Sequence, residues 1–555
     1  MKNVFLSILL FIGLGSCSYG QGTAAWNIGG DPAARKLSMT LSAIENYYVD
    51  TINKNKMADE AIVFLLQKLD PHSGYLTPEE VKEMNEPLQG NFDGIGIQFN
   101  MLTDTLYVVQ VISGGPSEKV GLMAGDRILM VNDTLIAGVG MKNTDIMSRL
   151  RGPKGTTVHI QVKRGSELIP FTIVRGKIPM YSLDASYMLD KETGYIALNR
   201  FAETTYGEFT KALHELQGKG MKNLILDLQT NGGGYLNSAI QIANEFLKRG
   251  NLIVYTEGIH QKREDAYASM KGSFEDGKLI VLINESSASA SEIVTGALQD
   301  WDRAVIVGRR SFGKGLVQRP LPLPDGSMLK LTTARYYTPA GRSIQKPYEQ
   351  GNSDAYNMDL INRYNRGEMG SADSIHFPDS LKYRTLVNKR IVYGGGGIMP
   401  DYFVPLDTTY ATDIHRALVA SGTLNKYVMS YIDNNRAALK ARYPDFNTFK
   451  SNFTVNSEML KGLLRLYDSD SKNAKTNRTE EDLFLPEDIL VIDRKNLDDF
   501  QKSAPLIQLQ IKALIVRDLW DMNEYYQIIN QENSVLKKAI EIINDTKQYH
   551  KLLGK

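Results

Sequence analysis

Apolar residues follow a helical spacing in the first part of the chain and a strand-like spacing further on. Between residues 31 and 88 they recur three and four positions apart, which predicts a helical N-terminal domain. Examples of this spacing are Ala61, Phe64, Leu65 and Leu69. From about residue 89 to residue 177, short apolar runs separated by glycines predict a β-rich module.

Strands and helices are predicted to alternate between residue 180 and about residue 405. Residues 252–255 and 304–307 are apolar runs of strand length, whereas residues 235–247 have helical spacing. Such alternation predicts an α/β core. A polar insertion at residues 348–382 interrupts the core, and we expect it to be a loop.

The last part of the chain, residues 406–555, is predicted to be a mainly helical C-terminal extension, and its sequence assigns it no role. Its clearest helical stripe consists of Leu506, Leu509, Ala513, Val516 and Trp520. A stripe of this kind is more often a buried face than a groove for a partner. The fold class that follows is multidomain α/β, with helical segments at both ends.

Composition and charge add few constraints. The chain has 555 residues, enough for several domains, and its 42% apolar residues supply their buried cores. The net charge of +1 shows no bias toward nucleic acid or an anionic membrane surface. We therefore expect neither as a partner. The sequence assigns no oligomeric state and no activating partner.

The first 20 residues differ from the rest of the chain. A lysine precedes an apolar run at residues 4–14, and small residues follow, which predicts a secretory signal peptide at residues 1–20. The only cysteine, Cys17, lies within it, so an internal disulfide is excluded. Residues 14–17 resemble a bacterial lipobox, and cleavage before Gln21 is the alternative. Both outcomes predict export to the bacterial periplasm or cell envelope, with membrane contact only through a lipid on the cysteine.

Two short segments carry the candidate chemistry. Residues 285–292 read Glu-Ser-Ser-Ala-Ser-Ala-Ser-Glu, and residues 311–318 read Ser-Phe-Gly-Lys-Gly-Leu-Val-Gln. Ser289, Lys314 and Gln318 are the parts of a serine nucleophile that is activated by a lysine base. Lysine can deprotonate serine only while it is neutral, so burial must lower its pKa below the usual value of about 10.4.

The predicted elements place these residues differently. Ser289 precedes a predicted helix at residues 290–299, where free backbone N–H groups and the positive end of the helix dipole stabilise an oxyanion. Gln318 would lie one turn from Lys314 in a helix, but roughly 13 Å away in a strand. The sequence leaves both arrangements open.

These motifs resemble those of the carboxyl-terminal processing proteases, also called tail-specific proteases. The resemblance implies that Ser289 attacks the scissile carbonyl, that Lys314 is the general base and that Gln318 orients Lys314. It also implies an α/β serine-protease core, here at residues 180–405. Neither a metal nor a nucleotide cofactor is implied.

A glycine-rich segment at residues 227–234, Asp-Leu-Gln-Thr-Asn-Gly-Gly-Gly, is similar to a further motif of that family. Gln229 stands where the family usually has arginine, and Gly232 stands where proline is common. In the family a glycine N–H of this motif completes the oxyanion hole. The resemblance therefore implies that the N–H groups of Gly233 and Ala290 hold the oxyanion.

Two other positions are interpreted as structural. His72 lies in residues 69–76, Leu-Asp-Pro-His-Ser-Gly-Tyr-Leu, in an Asp-Pro turn that enters a helix. This segment resembles a family signature outside the catalytic centre, and a structural role is the favoured reading. Asp300 matches an acidic position near the family's active site, also with a structural role.

The β-rich module, residues 89–177, resembles a PDZ domain. The resemblance rests on residues 92–98, Phe-Asp-Gly-Ile-Gly-Ile-Gln, and residues 124–129, Ala-Gly-Asp-Arg-Ile-Leu. In PDZ domains a loop of the first type offers consecutive N–H groups to a terminal carboxylate, and the peptide adds as a β-strand. The residues implied here are Ile95, Gly96 and Ile97. Protein substrates with free, apolar C-termini are the partners implied.

The sequence thus predicts an exported serine endopeptidase that recognises protein C-termini and cleaves with a Ser-Lys dyad. One alternative is a catalytically silent PDZ adaptor, which the intact Ser289 and Lys314 disfavour. The other is a phosphate-loop nucleotide-binding protein, because residues 308–315 match the first seven positions of G-x-x-x-x-G-K-[ST]. Gly315 replaces the magnesium-binding hydroxyl, and Pro320 follows where a helix should run.

Overall fold

The computed structural model of the protein describes residues 31–102, 104–470 and 494–555. The predicted signal peptide and Cys17 lie outside these residues. The chain forms two compact units, Met1–Leu66 and Gln67–Lys555. The described part of the first unit consists of two helices, α1 (Pro32–Tyr47) and α2 (Lys54–Gln67). The last residue of α2, Gln67, already belongs to the second unit.

A short strand and a capped helix open the second unit. Strand β1 (Gly74–Leu76) leads into α3 (Pro78–Gln89). Thr77 accepts the N–H of Glu80, whose side chain in turn accepts the N–H of Thr77, so two otherwise unpaired donors are satisfied. The helix ends at Gly90, which has φ 71°, a conformation that glycine adopts without strain.

The next module is built on an antiparallel sheet. Its elements are β2 (Asn91–Gly94), β3 (Ile97–Leu102), β4 (Thr105–Val111), α4 (Pro116–Lys119), β5 (Arg127–Val131), β6 (Thr134–Leu135), α5 (Asn143–Leu150), β7 (Thr157–Arg164), β8 (Glu167–Val174) and β9 (Gly176–Pro179). The strand order is β3-β4-β5-β7-β8, with β6 paired to β5, so β3 lies at an edge. Burial alternates along β7, where Val158, Ile160 and Val162 face the core.

The following segment alternates strands and helices, as the sequence predicts. Its elements are β10 (Leu183–Met188), β11 (Thr193–Leu198), α6 (Thr205–Gly218), β12 (Asn223–Asp227), α7 (Leu236–Asn244), β13 (Leu252–Gly258), β14 (Gln261–Tyr267), β15 (Leu279–Ile283), α8 (Ala290–Asp300), β16 (Val305–Gly308), β17 (Leu316–Pro322) and β18 (Met328–Tyr337). A five-stranded sheet contains β1-β18-β13-β14, and β17 pairs with β18.

The polar insertion at residues 348–382 is not the loop that was expected. It contains two helices and two 3₁₀ turns: α9 (Ser353–Asn357), α10 (Asp359–Asn365), Ala372–Ser374 and Asp379–Leu381. Strand β19 (Lys382–Arg384) begins at its last residue and pairs with β20 (Ile391–Tyr393). Tyr356 and Arg363 are buried, and Arg363 donates to the carbonyl oxygens of Arg310 and Ser311. These tertiary contacts order a segment whose composition is polar.

The described residues from 394 onward are mainly helical after one short strand. The elements are β21 (Tyr402–Phe403), α11 (Asp413–Ala420), α12 (Thr423–Arg442), α13 (Phe446–Asn452), α14 (Ser457–Asp470), α15 (Arg494–Leu519), α16 (Met522–Ile529), α17 (Ser534–Asn544) and α18 (Thr546–Leu552). Helices α11 to α16 share one apolar core. No helix in the described part of the chain is both long and apolar enough to cross a membrane.

The central sheet is covered on both faces. Its order is β10-β11-β12-β15-β16-β21, and all neighbours from β11 onward are parallel. Leu224 and Leu226 face the helices α6 to α8, whereas Ile225 faces α17 and α18. The α/β core was predicted to end at residue 405. The last two helices of the C-terminal extension, α17 and α18, nevertheless pack on its sheet.

The PDZ-like module contacts helix α12. Tyr107 and Val109 of β4 form a buried apolar cluster with Met429. Arg127 makes an ion pair with Asp433, whose side chain is mostly buried. The C-terminal helices thus touch both the central sheet and this module.

Candidate active site

Ser289 occupies a sharp turn between β15 and α8. Its backbone angles are φ 57° and ψ −113°, a combination that costs energy for a residue with a Cβ and that is concentrated at functional sites. Helix α8 begins at Ala290, which confirms the predicted helix start. The N–H of Ala290 lies at the helix start and donates to no acceptor among the described residues, so it can serve a ligand.

The neighbouring serines are engaged elsewhere. Ser287 is fully buried and donates its hydroxyl to the carbonyl oxygen of Leu228 at 2.7 Å. Ser291 is also fully buried and donates to the carbonyl oxygen of Asn231 at 2.8 Å. Ser289 is only partly buried. Among these three, it is the serine that is placed to meet a substrate.

Gly233 lies directly against this turn. A Cβ on Gly233, where φ is 98°, would come within 2.7 Å of the Ser289 Cβ and 2.9 Å of the Ala290 nitrogen. Only glycine permits so close an approach. The N–H of Gly233 donates to Asn231 Oδ1 at 2.9 Å. The loop after β12 therefore reaches the nucleophile turn, with this donor engaged by a side chain.

Lys314 is mostly buried in the loop between β16 and β17. Burial lowers the pKa of Lys314, the positive charge of Lys330 lowers it further, and Glu292 and Asp70 oppose the shift. The flanking glycines are required by close packing, since a Cβ on Gly315 would lie 2.8 Å from the Gln345 nitrogen. The backbone around Lys314 therefore follows a tight path.

Gln318 lies on strand β17, so the extended arrangement is the one adopted. Its side-chain nitrogen donates to the carbonyl oxygen of Leu316 and to Thr332 Oγ1, each at 3.3 Å. Thr332 Oγ1 in turn donates to Asp70 Oδ1 at 3.0 Å. Gln318 is thereby tied to the segment that carries His72.

The segment at residues 69–76 lies beside the lysine loop, in contrast to the position expected outside the catalytic centre. Burial lowers the pKa of His72 to about 4, and the charge of Lys314 is the next largest cause. His72 Nε2 lies 2.9 Å from the hydroxyl of Tyr356. A neutral imidazole in a hydrogen-bonded contact agrees with the structural role predicted for it.

A buried carboxylate joins the two catalytic segments. Glu292 is 1% exposed and accepts the backbone N–H of Ser289 at 2.8 Å and that of Lys314 at 2.9 Å. The hydroxyl of Tyr336, on β18, lies within hydrogen-bonding reach of the carbonyl oxygens of the same two residues. Neither residue is among those predicted from the sequence. The Ser-x-x-Glu spacing of a capping box was the signal for Glu292.

The remaining predictions concern Asp300 and the phosphate loop. Asp300 is fully buried and paired with Arg342, which agrees with a structural role. A phosphate loop requires a helix after its lysine, but strand β17 follows Lys314. The nucleotide-binding alternative is therefore wrong.

The groove expected to bind a peptide lies between β3 and α5. Its lining includes Ile95, Gly96 and Ile97 on one side and Met147 and Leu150 on the other. Strand β3 is an edge strand, which leaves one side of its backbone open to a further strand. This geometry fits strand addition by a peptide.

Comparison with known proteins places this site in a family. A family model described as peptidase family S41 matches residues 192–351. The carboxy-terminal-processing protease of Bartonella bacilliformis is 38% identical over 309 residues, which cover 54% of this chain and 70% of that protein. The chain belongs to peptidase family S41. It is therefore a serine-type peptidase of the carboxy-terminal-processing group.

Further family models match other parts of the chain, and a further relative is similar to it. A PDZ domain model matches residues 94–174, and a family of unknown function matches residues 414–521. A probable CtpA-like serine protease of Staphylococcus epidermidis is 34% identical over 313 residues, covering 56% of this chain but only 63% of that protein.

Two solved structures are also similar. The photosystem II D1 C-terminal processing protease has 28% identity and a TM-score of 0.34, with coverage of 57% of this chain and 85% of that one. The PDZ domain of a Vibrio cholerae carboxy-terminal protease, in complex with a peptide, has 30% identity and a TM-score of 0.15, with coverage of 16% and 97%.

Proposed function

We propose that this protein is a serine endopeptidase that cleaves with a Ser289–Lys314 dyad and selects substrates by their C-termini. The observation that carries the proposal is the pair of backbone bridges between Ser289 and Lys314, made by Glu292 and Tyr336. The lowered pKa of Lys314 supports its role as a base, since only a neutral amine accepts a proton.

In the proposed reaction, Ser289 Oγ attacks the scissile carbonyl carbon while Lys314 Nζ takes its proton. The oxyanion binds to the N–H of Ala290 and to a second donor from the glycine loop, for which Gly233 is proposed. The N–H of Gly233 would have to leave Asn231 Oδ1, which accepts it in this structure, to bind the oxyanion. Lys314 returns the proton to the leaving amine and then deprotonates the water that hydrolyses the acyl-enzyme. Gln318 is proposed to orient Lys314, and its own amide nitrogen is bonded to the carbonyl oxygen of Leu316 and to Thr332 Oγ1.

The proposed substrate is a protein with a free, apolar C-terminus. The tail would add as a strand beside β3, with its carboxylate at the N–H groups of Ile95, Gly96 and Ile97. The apolar groove walls from Met147 and Leu150 support the preference for an apolar tail. A silent adaptor would need only this groove, and the buried lysine and strained serine turn favour an enzyme.

The proposed location is the bacterial periplasm or cell envelope. Its support is the signal-peptide pattern of residues 1–20, together with the bacterial relatives named above. Cys17 would carry a lipid if the lipobox is used, and Gln21 would be the first residue if it is not. Mass spectrometry of the mature N-terminus distinguishes the two outcomes.

The test of the activity is cleavage of an unfolded protein by the purified chain. We expect Ser289→Ala, Lys314→Ala and Lys314→Arg each to lose essentially all cleavage, because arginine stays charged and cannot act as the base. Ser286→Ala is the matched control, since Ser286 is exposed in the same turn and should retain wild-type rates. Wild-type cleavage by Ser289→Ala would refute the assignment of the nucleophile.

A further inference from the structure

Glu292 receives hydrogen bonds from both catalytic segments. Oε2 accepts the N–H groups of Ser289 and Lys314 at 2.8 and 2.9 Å. Oε1 accepts the N–H of Gly313 at 2.7 Å and the hydroxyl of Ser311 at 2.5 Å. One side chain at the first turn of α8 therefore binds the nucleophile turn and the lysine loop together.

All four partners of Glu292 are donors, so the carboxylate form satisfies them. Ser311 Oγ also accepts the N–H of Ile398 at 2.6 Å, so its own hydrogen is free to point to Glu292. Burial raises the pKa of Glu292 to about 7, against the four hydrogen bonds, which lower it. A protonated carboxyl would instead set an O–H against one of these donors.

Tyr336 makes the complementary contact with the carbonyl groups. Its buried hydroxyl lies 3.2 Å from the carbonyl oxygen of Ser289 and in hydrogen-bonding contact with that of Lys314. The backbone N–H groups of Ser289 and Lys314 thus meet one carboxylate, and their carbonyl oxygens meet one hydroxyl. Neither contact uses the catalytic side chains themselves.

We propose that Glu292 and Tyr336 act as a backbone clamp, a pair of positioning residues that fix the separation between Ser289 and Lys314. The proposal rests on the proposed function, because the clamp matters only if these two side chains exchange a proton. A displacement of about 1 Å between reacting groups can reduce a rate about a hundredfold. The backbone of each catalytic residue is therefore held at both of its polar groups.

One substitution weakens the contact of Glu292 with the backbone N–H groups, and a second removes the contact of Tyr336 with the carbonyl oxygens. Each substitution has a matched control. Glu292→Gln exchanges one acceptor oxygen for an amide nitrogen, and Tyr336→Phe removes only the hydroxyl. The first control is Glu245→Gln, because Glu245 is a buried carboxylate that accepts the Tyr206 hydroxyl and the Ser273 N–H, each at 2.7 Å.

The second control is Tyr549→Phe. Tyr549 is 4% exposed, and its hydroxyl accepts the N–H of Leu279 at 3.0 Å on the other face of the central sheet. Both controls disturb buried hydrogen bonds of the same kind without touching Ser289 or Lys314. They measure how much cleavage is lost through general destabilisation.

We expect each clamp variant to lower kcat about ten- to a hundredfold with little change in KM, and both controls to stay within about threefold of wild type. Glu292→Gln plus Tyr336→Phe should lose less than the product of the two single losses, because both act on one pair of residues. Tyr336→Phe also keeps the test open if Glu292→Gln does not fold.

The pH profile separates positioning from a structural role. The charged groups that act on Lys314 are Glu292 and Asp70, which raise its pKa, and Lys330, which lowers it. Burial raises the pKa of Tyr336 and of Tyr356, and the negative charge of nearby Glu292 raises both further. The same charge opposes the lowering of the pKa of Lys346 by burial. Glu292→Gln removes a negative charge that raises the pKa of Lys314. The acid limb of kcat/KM in this variant should therefore move to lower pH. Tyr336→Phe should leave the midpoint unchanged.

Three results would overturn the clamp. The first is wild-type kcat in folded Glu292→Gln or Tyr336→Phe while Ser289→Ala is inactive, which leaves the proposed function intact. The second is an equal loss in the controls, together with an unmoved acid limb in Glu292→Gln. The third is absence of Ser289-dependent cleavage by the wild-type chain, which refutes the proposed function as well.

Discussion

Lys314 has to be neutral when it accepts the proton of Ser289, and its surroundings act on its pKa in both directions. Burial is the largest cause and lowers the pKa, and the charge of Lys330 on β18 lowers it further. Glu292 and Asp70 raise it. Because the protonated form of the base is inactive, cleavage should increase as pH rises through the lowered pKa.

The contribution of Lys330 can be measured directly. Lys330→Gln removes a positive charge that disfavours protonation of Lys314, so the pKa of Lys314 should rise and the acid limb of kcat/KM should move to higher pH. Lys262→Gln, in strand β14, is the control and should leave the limb in place. A limb that moves to lower pH, or does not move, would contradict the electrostatic role of Lys330.

At the scale of the elements, the nucleophile turn and the glycine loop after β12 pack so closely at Gly233 that this position admits no side chain. Gly233→Ala would place a Cβ 2.7 Å from both the Ala288 oxygen and the Ser289 Cβ, at a φ of 98°. We expect at least a hundredfold loss of kcat/KM, since the turn that carries Ser289 must shift.

Gly232→Ala is the matched control for this substitution. A Cβ added to Gly232, the residue that precedes Gly233, would have no atom within 4 Å. Gly232→Ala should therefore keep the wild-type rate. Equal losses in both variants would show that the loop tolerates no side chain anywhere, and the close approach at Gly233 would not be the cause.

Helix α17 is predicted to stabilise the catalytic sheet rather than a separate module. Ile542 is fully buried in the cluster that includes Ile225 and Ile280 of the sheet. Ile542→Ala should cost about 2–5 kcal/mol in the free energy of unfolding, measured by urea denaturation. Lys537→Ala, on the exposed face of the same helix, should cost less than about 0.5 kcal/mol. Unchanged hydrogen exchange in β12 and β15 of Ile542→Ala would contradict this assignment.

At the scale of the whole molecule, substrate choice depends on a groove outside the α/β core. If the edge of β3 binds a tail, a substrate with a free, apolar C-terminus should be cleaved faster than the same chain amidated there. A charge-assisted hydrogen bond is worth about 1.5–3 kcal/mol, so the expected ratio in kcat/KM is roughly ten- to a hundredfold.

A pair of methionines tests where this preference arises. Met147→Ser alters the wall of the groove, whereas Met123→Ser alters an exposed methionine outside its lining. The first should reduce the preference for a free tail, and the second should not. Equal cleavage of free and amidated tails by the wild-type chain would refute recognition of C-termini and leave the Ser289–Lys314 assignment standing.

The sequence by itself determined the types of the elements outside residues 348–382, where a loop was expected, and the identity of the family. Alternating burial in β7 and the apolar strand β15 follow from local patterns, because side-chain periodicity is set by the geometry of a strand. The start of α8 after Ser289 and the glycines around Lys314 were also readable locally. Motifs of this kind depend on a few neighbouring residues, which the sequence lists in order.

Only the tertiary structure decided which distant residues meet. Tyr336 reaches Ser289 and Lys314 because β18 pairs with β17, the strand that follows the lysine loop, and no local pattern records that contact. The same holds for Gln318, whose extended position depends on pairing with β18, and for α17, whose apolar face becomes part of the core by packing on a sheet formed far earlier in the chain. Such contacts depend on the order and register of paired strands, which local residue patterns leave open.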